Sequence, residues 1–348
     1  MGKTIIIAAG GTGGHVFPAL CLAREFKKSG YDVIFSTDAR GFAYLAEFQN
    51  DAIVQDIKTS SRLKLYVSLI FNVLKSMPRL LKLKPSIVVG FGGYPSAPFI
   101  FASQILGIKT VIHEQNAVIG KANKLLSKMA SQVLTSFKNT KGISKGAKVF
   151  CVGNPTRYEA EYPNAEQPSN KLFTILIFGG SQGAKIFSDE IVKAICNIPK
   201  FTNIKVFHQG RLEDLSIIKN NYEKAGIKHF VNSFFDNINE LYKQADLVIS
   251  RAGASSVFEI IGFKKPSILI PFKGSINGDQ AANAEFLRSH SSAIVINEDV
   301  NLRQKLETTI ANLINNRNKL LAMSEQLSRL QIPNVTKNMT RLIENKMN

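Results

Sequence analysis

Residues 3–15 read KTIIIAAGGTGGH, and residues 172–184 repeat the same plan as LFTILIFGGSQGA. Each stretch is a short apolar run followed at once by a glycine-rich turn. This pattern predicts a buried parallel strand, a tight turn and the start of a helix. Glycine permits a sharp turn and a close approach to a ligand, and the N–H groups at the helix start suit a phosphate or a sugar hydroxyl. The two stretches therefore predict two similar α/β halves.

Apolar runs and amphipathic stretches alternate along the chain, which is typical of parallel sheets joined by right-handed helical crossovers. Strands are expected at residues 3–8, 31–36, 53–56, 86–89, 109–112, 131–134, 148–151, 172–178, 204–207, 228–231, 246–249, 267–270 and 293–296. Helices are expected between them, including 40–49 and 64–83, and again after residue 300. We predict an α/β fold of two Rossmann-like, doubly wound domains, residues 1–158 and 159–348, with an interdomain cleft for the ligand. The polar stretch 159–171 is the expected linker, and the last helix either caps the second domain or crosses back to the first.

The composition is that of a soluble globular protein, with 45% hydrophobic and 20% charged residues. No apolar run reaches the ~18 residues of a membrane-spanning helix, and we expect no signal peptide because the first strand follows Met1 at once. The cysteines Cys21, Cys151 and Cys196 lie far apart. That spacing argues against a disulfide framework or a zinc site and fits a reducing cytoplasm.

The formal net charge of +18 is distributed unevenly. Residues 1–155 contain 20 Lys and Arg against 7 Asp and Glu, whereas residues 156–348 contain 24 against 19. The segment 58–84 has seven basic residues, no acidic residue and many apolar ones. It is either an amphipathic helix, interrupted near Pro78, that packs on the sheet, or a surface that meets an anionic membrane. Because its apolar residues exceed one narrow stripe, we expect part of it in the core and part in membrane contact.

A nucleic-acid partner is not expected, because the basic segment is too apolar and no nucleic-acid-binding motif is recognisable. In doubly wound sheets, ligands bind beyond the carboxyl ends of the strands. The loops at those ends hold the glycine-rich, polar and potentially catalytic segments, namely residues 10–15, 90–96, 113–116, 153–157, 179–184, 250–256 and 271–280. This clustering predicts an active site.

Two side chains are candidates for a general base that accepts a proton from a hydroxyl. His15 lies within the first glycine turn at a helix start, and its ordinary pKa near neutrality suits the task. Glu114 is the rival base, and its alternative role is to fix its own loop through backbone N–H groups. Asn116 either hydrogen-bonds a sugar or orients the same loop.

The sequence lacks the motifs that are typical of several other nucleotide-binding enzymes. The first turn is not a dinucleotide fingerprint, because Val16 stands where a glycine is needed. Asp38, at the end of the next strand, stands where an NAD enzyme could use an acidic residue to bind the ribose, so an NAD oxidoreductase is only a weak alternative. The chain contains no P-loop and no Asp-x-Asp pair for a divalent metal. We therefore expect neither a metal nor another cofactor.

A diphosphate leaving group without a metal must be stabilised by cations, helix N-termini and N–H groups. Arg157 is the expected cation, and Ser181 and Gln182 offer donors at the second glycine turn. Residues 253–256 begin another helix and provide a further phosphate site. Glu259, about one turn into that helix, is suited to accept hydrogen bonds from ribose hydroxyls.

These segments resemble the MurG-type family of lipid II-forming N-acetylglucosaminyltransferases, which have the GT-B fold. The matching motifs follow the family order across nearly the whole chain: 10–18 GGTGGHVFP, 92–94 GGY, 113–116 HEQN, 153–157 GNPTR, 179–184 GGSQGA, 250–254 SRAGA and 279–284 DQAANA. The resemblance implies transfer of GlcNAc from UDP-GlcNAc to the 4-hydroxyl of the muramyl sugar of lipid I, with inversion, to form lipid II. It also implies peripheral attachment to the cytoplasmic face of the bacterial inner membrane.

The resemblance further implies roles for individual residues. His15 is the candidate base, and the first domain carries the acceptor, with Tyr94 and Glu114 on the acceptor side and segment 58–84 against the anionic membrane surface. The implied UDP-GlcNAc contacts are Thr12, Gly13, Gly14, Asn116, Arg157, Ser181, Gln182, Phe235 (through its backbone), Ala254, Ser255, Ser256, Val257, Phe258, Glu259 and Gln280.

Two alternatives share parts of this pattern. A related lipid glycosyltransferase would act on diacylglycerol in place of lipid I. A non-catalytic protein would bind a nucleotide sugar or a membrane without turnover.

Overall fold

The computed structural model describes residues 3–57, 60–159, 172–180, 184–198 and 203–347. The chain divides into two compact units, Met1–Glu159 with Ile332–Asn348, and Ala160–Gln331. Most of the predicted linker, and Lys58 of the basic segment, lie outside the described residues.

Strands and helices alternate along both units. The strands are β1 (Thr4–Ala8), β2 (Asp32–Asp38), β3 (Ala52–Gln55), β4 (Ile87–Gly90), β5 (Thr110–Glu114), β6 (Gln132–Thr135), β7 (Val149–Cys151), β8 (Phe173–Phe178), β9 (Ile204–Gln209), β10 (Lys228–Asn232), β11 (Leu247–Ser250), β12 (Ser267–Leu269) and β13 (Ala293–Val295). The helices are α1 (Gly13–Lys28), α2 (Ala39–Phe42), α3 (Arg62–Leu83), α4 (Ala97–Ile105), α5 (Lys121–Leu126), α6 (Val192–Cys196), α7 (Leu215–Lys224), α8 (Ile238–Gln244), α9 (Ala254–Phe263), α10 (Asp279–Ser289), α11 (Leu302–Ile314), α12 (Arg317–Leu330) and α13 (Val335–Met347).

Each unit contains one parallel sheet with the strand order of a doubly wound fold. The first sheet runs β3-β2-β1-β4-β5-β6-β7, and the second runs β10-β9-β8-β11-β12-β13. The order reverses between β1 and β4 in the first sheet and between β8 and β11 in the second. Ligands bind doubly wound sheets at such reversals, beyond the carboxyl ends of the strands. In each unit a glycine-rich turn leaves the sheet at this point.

All the predicted strands are present, and the predicted fold class is confirmed. The central strands are apolar on both faces, as β1 is at Ile5, Ile6 and Ile7, because helices cover both sides of a parallel sheet. The predicted helix at 40–49 is wrong, since α2 is a single turn. Asp38 caps that turn by accepting the N–H of Gly41.

The C-terminal helix α13 packs on α1 of the first unit, where Met339 and Ile343 join the core above the sheet. Its first turn is fixed by Glu159, whose carboxylate accepts hydrogen bonds from the hydroxyl and the N–H of Thr336. Glu159 and α13 are therefore joined to each other inside the first unit.

Helix α3 has apolar side chains on both its inner and its outer side. Leu80 joins the core, and Val73, Met77 and Leu83 pack against it, so the prediction that part of this segment lies in the core is confirmed. Its buried positions are Ser68, Asn72, Ser76 and Leu80, and only the last is apolar. The Ser68 hydroxyl and the Asn72 amide both donate to the carbonyl of Asp56. The expected break near Pro78 is absent, because the helix continues through that residue. Within the described residues, no helix has both the length and the apolar character needed to cross a bilayer.

Candidate functional site

The first glycine turn is shaped by its contacts with two neighbouring loops. A Cβ atom at Gly10 would lie 2.3 Å from Cβ of Pro95, so only glycine fits against the loop after β4. Gly11 has φ of +81°, which also favours glycine. Its N–H donates to Asp38, 3.1 Å away, at the end of β2. Asp38 therefore anchors the turn, which argues against the ribose-binding role of an NAD enzyme.

His15 lies in the first turn of α1, close to Gly10 and Gly92. Its Nδ1 is 3.4 Å from the hydroxyl of Thr12, the N-cap residue. A Cβ at Gly92 would lie 3.3 Å from the imidazole, so that glycine leaves room for the ring. Burial lowers the pKa of His15 to about 4, partly opposed by a hydrogen bond to the Gly10 backbone. The imidazole is therefore neutral at pH 7 and able to accept a proton.

A second histidine, His113, is fully buried near His15 and was missed as a site residue by the sequence analysis. The Gln115 amide donates to its Nδ1 at 3.1 Å, so its Nε2 carries the proton and donates to the Gly153 carbonyl at 3.0 Å. Burial, together with the nearby His15, lowers the pKa of His113 to about 4, and the hydrogen bond to Gly153 partly opposes that shift. His113 thus ties β5 to the loop after β7.

Glu114 is held in a manner that suits an anchor rather than a base. It is 2% exposed, and its Oε1 accepts the backbone and side-chain N–H groups of Asn116. Its Oε2 accepts the N–H of Gly120 and the amide of Asn123. Burial raises the pKa of this carboxyl, and the four hydrogen bonds oppose that rise. Of the two roles considered for Glu114, the geometry favours fixing the loop.

Arg157 belongs to the first unit and stacks on aromatic rings. Its guanidinium lies 4.1 Å from the ring centre of Phe17 and 5.1 Å from that of Tyr158. Within the described residues, its Nε has no hydrogen-bond partner. The guanidinium is thus held in place by packing on the two rings, and its Nε is buried.

In the second unit, the loop after β11 leads into α9 and is fixed from two sides. Arg251, which is buried, forms an ion pair with Glu298 and donates to the carbonyl of Ile270. The buried amide of Asn283, on α10, donates to the carbonyl of Ala252 at 3.1 Å. These residues position the helix start, and the sequence motifs contained them without showing that role.

The side chains in the first turns of α9 differ in burial. Ser255 and Ser256 are half-buried, and the Ser255 hydroxyl has no hydrogen-bond partner in the described chain. Val257 and Phe258 are buried, and the N–H of Val257 donates to Gly253 within the helix. The predicted donor contacts of Val257 and Phe258 stay predictions, and burial of both side chains leaves only their backbone for such a contact.

The remaining predicted donor contacts lie at the same strand ends of the second unit. Glu259 is half-buried and accepts a hydrogen bond from the Tyr242 hydroxyl at 3.3 Å. The side-chain oxygen of Gln280 accepts the Phe272 N–H, so its amide N–H groups are the part suited to a ligand. Phe235 is half-buried in the loop between β10 and α8. Ser181 and Gln182 lie outside the described residues.

Among the described residues, no group of three or more His, Cys, Asp or Glu side chains is arranged to hold a metal ion. His208 is buried on β9 with its Nδ1 2.9 Å from the Tyr222 hydroxyl, which is a structural contact in the second unit.

Comparison with known proteins places these features in a family. Residues 5–135 match the glycosyltransferase family 28 N-terminal domain, and residues 174–339 match the family 28 C-terminal domain. A UDP-N-acetylglucosamine–N-acetylmuramyl-(pentapeptide) pyrophosphoryl-undecaprenol N-acetylglucosamine transferase of Rickettsia canadensis is 39% identical over 323 residues, covering 90% of this chain and 91% of the relative. The transferase of the same name from the Wolbachia endosymbiont of Brugia malayi is 33% identical over 345 residues, 99% of each chain.

A solved structure gives the same result. The crystal structure of MurG from Acinetobacter baumannii matches with a TM-score of 0.84 and 29% identity, covering 99% of both chains. Identity above 30% over nearly the full length, together with both domain matches, identifies the family. The chain belongs to the MurG family of UDP-N-acetylglucosamine–N-acetylmuramyl-(pentapeptide) pyrophosphoryl-undecaprenol N-acetylglucosamine transferases.

Proposed function

We propose that this protein transfers GlcNAc from UDP-GlcNAc to the 4-hydroxyl of the muramyl sugar of lipid I, forming lipid II with inversion. Family membership supports the reaction, and one observation supports the mechanism. His15 is neutral because burial lowers its pKa to about 4, and it lies beside the glycine turn at the start of α1. A neutral imidazole at that place is suited to take the hydroxyl proton.

The step balances as a single displacement. The imidazole of His15 accepts the proton as the acceptor oxygen bonds to C1 of GlcNAc, and the bond from C1 to the phosphate oxygen breaks. UDP leaves as an anion. Arg157 and the N–H groups and hydroxyls at the start of α9, from Ala254 to Ser256, are suited to stabilise its negative charge.

Donor recognition is assigned to the following residues, and the contacts of Val257 and Phe258 stay predictions. Glu259 accepts from the ribose hydroxyls, Gln280 donates through its amide, and Phe235 presents its backbone to the base. Thr12, Gly13, Gly14 and Asn116 contact the sugar from the first unit, and Ser181 and Gln182 stay predictions. We assign Glu114 to holding the loop of Asn116. No metal takes part in this scheme.

Attachment to the anionic membrane surface is assigned to α3, in keeping with a peripheral location on the cytoplasmic face. Its outward apolar side chains are 54–74% exposed: Leu63, Tyr66, Val67, Ile70, Phe71, Leu74 and Leu81. The exposed Arg62, Lys64, Lys75, Arg79 and Lys82 lie on the same helix. Each basic residue near an anionic bilayer contributes about 1 kcal/mol, and the apolar side chains add the hydrophobic part.

The reaction is tested by following UDP release from UDP-GlcNAc with a short-chain lipid I analogue and EDTA present. We expect release that requires the acceptor and survives EDTA. Release with diacylglycerol, and none with the muramyl lipid, would favour the related lipid glycosyltransferase. Binding of UDP-GlcNAc without turnover on either acceptor would refute catalysis.

A further inference from the structure

Arg40 brings a positive charge to the first glycine turn, although none of the sequence motifs contains it. Its Nε and Nη2 lie 3.2 and 3.1 Å from Oδ2 of Asp38. Nη2 also donates to the hydroxyl of Tyr94, in the loop after β4. A Cβ atom at Gly11 would lie 3.2 Å from Nη2, so the guanidinium lies directly beside the turn. Arg40 therefore joins the loops that follow β1, β2 and β4.

The guanidinium is held in position while one side of it remains open. Oδ1 of Asp38 accepts the N–H groups of Gly11 and Gly41, which fixes the carboxylate that orients Arg40. The Arg40 side chain is nevertheless 55% exposed. Its Nη1 has no hydrogen-bond partner among the residues that the structure describes. A planar, pre-oriented guanidinium with free N–H groups matches the oxygens of a phosphate.

We propose that Arg40, together with the Tyr94 hydroxyl, binds the diphosphate of the lipid-linked acceptor. This inference rests on the proposed function, which supplies two diphosphates, one in UDP-GlcNAc and one in lipid I. Arg40 is a binding residue in this assignment and not a catalytic one.

The position of α3 favours the acceptor diphosphate over that of the donor. The carbonyl of Pro95, next to Tyr94, accepts a hydrogen bond of 2.7 Å from Gln55 at the end of β3. Asp56, the next residue, accepts the bonds from Ser68 and Asn72 that hold α3. Two consecutive residues, Gln55 and Asp56, thus connect the Tyr94 loop by hydrogen bonds to α3, the helix assigned to the membrane. A lipid-linked diphosphate sits at the bilayer surface, so it would reach this corner of the first unit.

The test compares Arg40→Ala, Arg40→Lys and Tyr94→Phe with the wild-type protein. The matched control is Arg24→Ala, since Arg24 is another exposed arginine of the first unit paired with a carboxylate. We expect Arg40→Ala to raise KM for a short-chain lipid I analogue about 10- to 100-fold, the loss typical of a hydrogen bond to a charged group. In Arg40→Ala, the KM for UDP-GlcNAc should stay within about twofold of the wild-type value. In Arg40→Lys and Tyr94→Phe, the KM for the lipid I analogue should lie between the values of Arg40→Ala and wild type.

An acceptor whose muramyl sugar carries an uncharged alkyl group in place of the diphosphate separates binding from a structural effect. On that acceptor, Arg40→Ala should match the wild type. An equal loss on both acceptors, or an equal loss in Arg24→Ala, would overturn the assignment. If Arg40→Ala raised only the KM for UDP-GlcNAc, Arg40 would contact the diphosphate of the donor, and the assignment to the acceptor would also be overturned.

Direct binding of the lipid I analogue, measured by calorimetry without UDP-GlcNAc, keeps this inference distinct from the proposed function. Arg40-dependent binding without any transfer by the wild-type protein would contradict the function and retain the diphosphate site. Transfer by the wild type with unchanged acceptor binding in Arg40→Ala would retain the function and refute the site. Neither binding nor transfer would refute both.

Discussion

Replacing Ile70 and Leu74 by serine should detach the protein from anionic membranes without disturbing its fold. The two side chains lie one turn apart on α3 and are 63% and 60% exposed. Full burial of such a side chain contributes about 1.5–3 kcal/mol, so the exposed share available to a bilayer is about 1–2 kcal/mol each. The double variant should therefore bind vesicles about 30- to 700-fold more weakly, at 1.4 kcal/mol per factor of ten.

The assay is co-sedimentation with vesicles rich in anionic phospholipid, over a range of salt concentrations. The matched control replaces Ile217 and Leu321, which are exposed on helices of the second unit, by serine. The control should bind as the wild type does, and Ile70→Ser/Leu74→Ser should keep wild-type activity on a water-soluble acceptor. Unchanged vesicle binding in the α3 variant, or an equal loss in the control, would refute the assignment of α3 to the membrane.

Three further predictions concern buried or half-buried polar groups. His15→Gln should lower kcat about 10²- to 10⁴-fold with little change in KM for UDP-GlcNAc. Because the pKa of His15 is lowered to about 4, wild-type kcat/KM should show no histidine titration between pH 8 and pH 6. A decline of kcat/KM over that range would contradict the role of His15 as the general base. Glu114→Gln should lower the melting temperature, because an amide offers only one oxygen to the four N–H groups that donate to the carboxylate of Glu114. Lost activity with an unchanged melting temperature would instead favour Glu114 as the general base. Burial lowers the pKa of His208 to about 3, so its contribution to the free energy of unfolding is complete above about pH 6.5. That contribution falls as the pH drops, by about 2 kcal/mol at pH 5. Urea unfolding at pH 7 and pH 5 should therefore show a smaller loss of stability in His208→Asn than in the wild type, and an identical loss would contradict the burial of a neutral His208.

The strands, the sheet class and the ligand-binding loops follow from local sequence patterns. Runs such as Ile5–Ile7 are apolar at every position because the sheet is covered on both faces, and a glycine-rich turn follows each central strand at the strand-order reversal. The helix predicted at 40–49 is only the single turn α2, whose start is capped by Asp38, and the same carboxylate also holds Gly11 from another loop. The domain boundaries and the interdomain cleft stay predictions.

The orientation of α3 could not be read from its sequence. Its amphipathic pattern identifies an apolar face and a polar one, and the usual assumption is that the apolar face meets the core. In the structure the inward side is mixed: Ser68 and Asn72 donate to the carbonyl of Asp56, while Leu80 joins the core and a second set of apolar side chains, including Ile70 and Leu74, stays exposed.

Roles that depend on distant residues were also beyond the sequence. Asn283 stands in a recognisable motif, yet its anchoring role appears only when Ala252 is seen beside it. For Glu114 the sequence left two roles open, and the structure favours the anchor by adding the contact with Asn123. Arg40 stands in no motif, and its contact with Tyr94 spans 54 residues of sequence.

The central claim is that GlcNAc is transferred to the muramyl sugar of a lipid-linked acceptor. It is tested most directly by supplying UDP-GlcNAc labelled in the sugar to vesicles that contain both lipid I and diacylglycerol, and by identifying the labelled lipid. We expect label in a GlcNAc–muramyl disaccharide linked to the lipid diphosphate, and its loss in His15→Gln. Label in glycosylated diacylglycerol, or only in free GlcNAc, would contradict it.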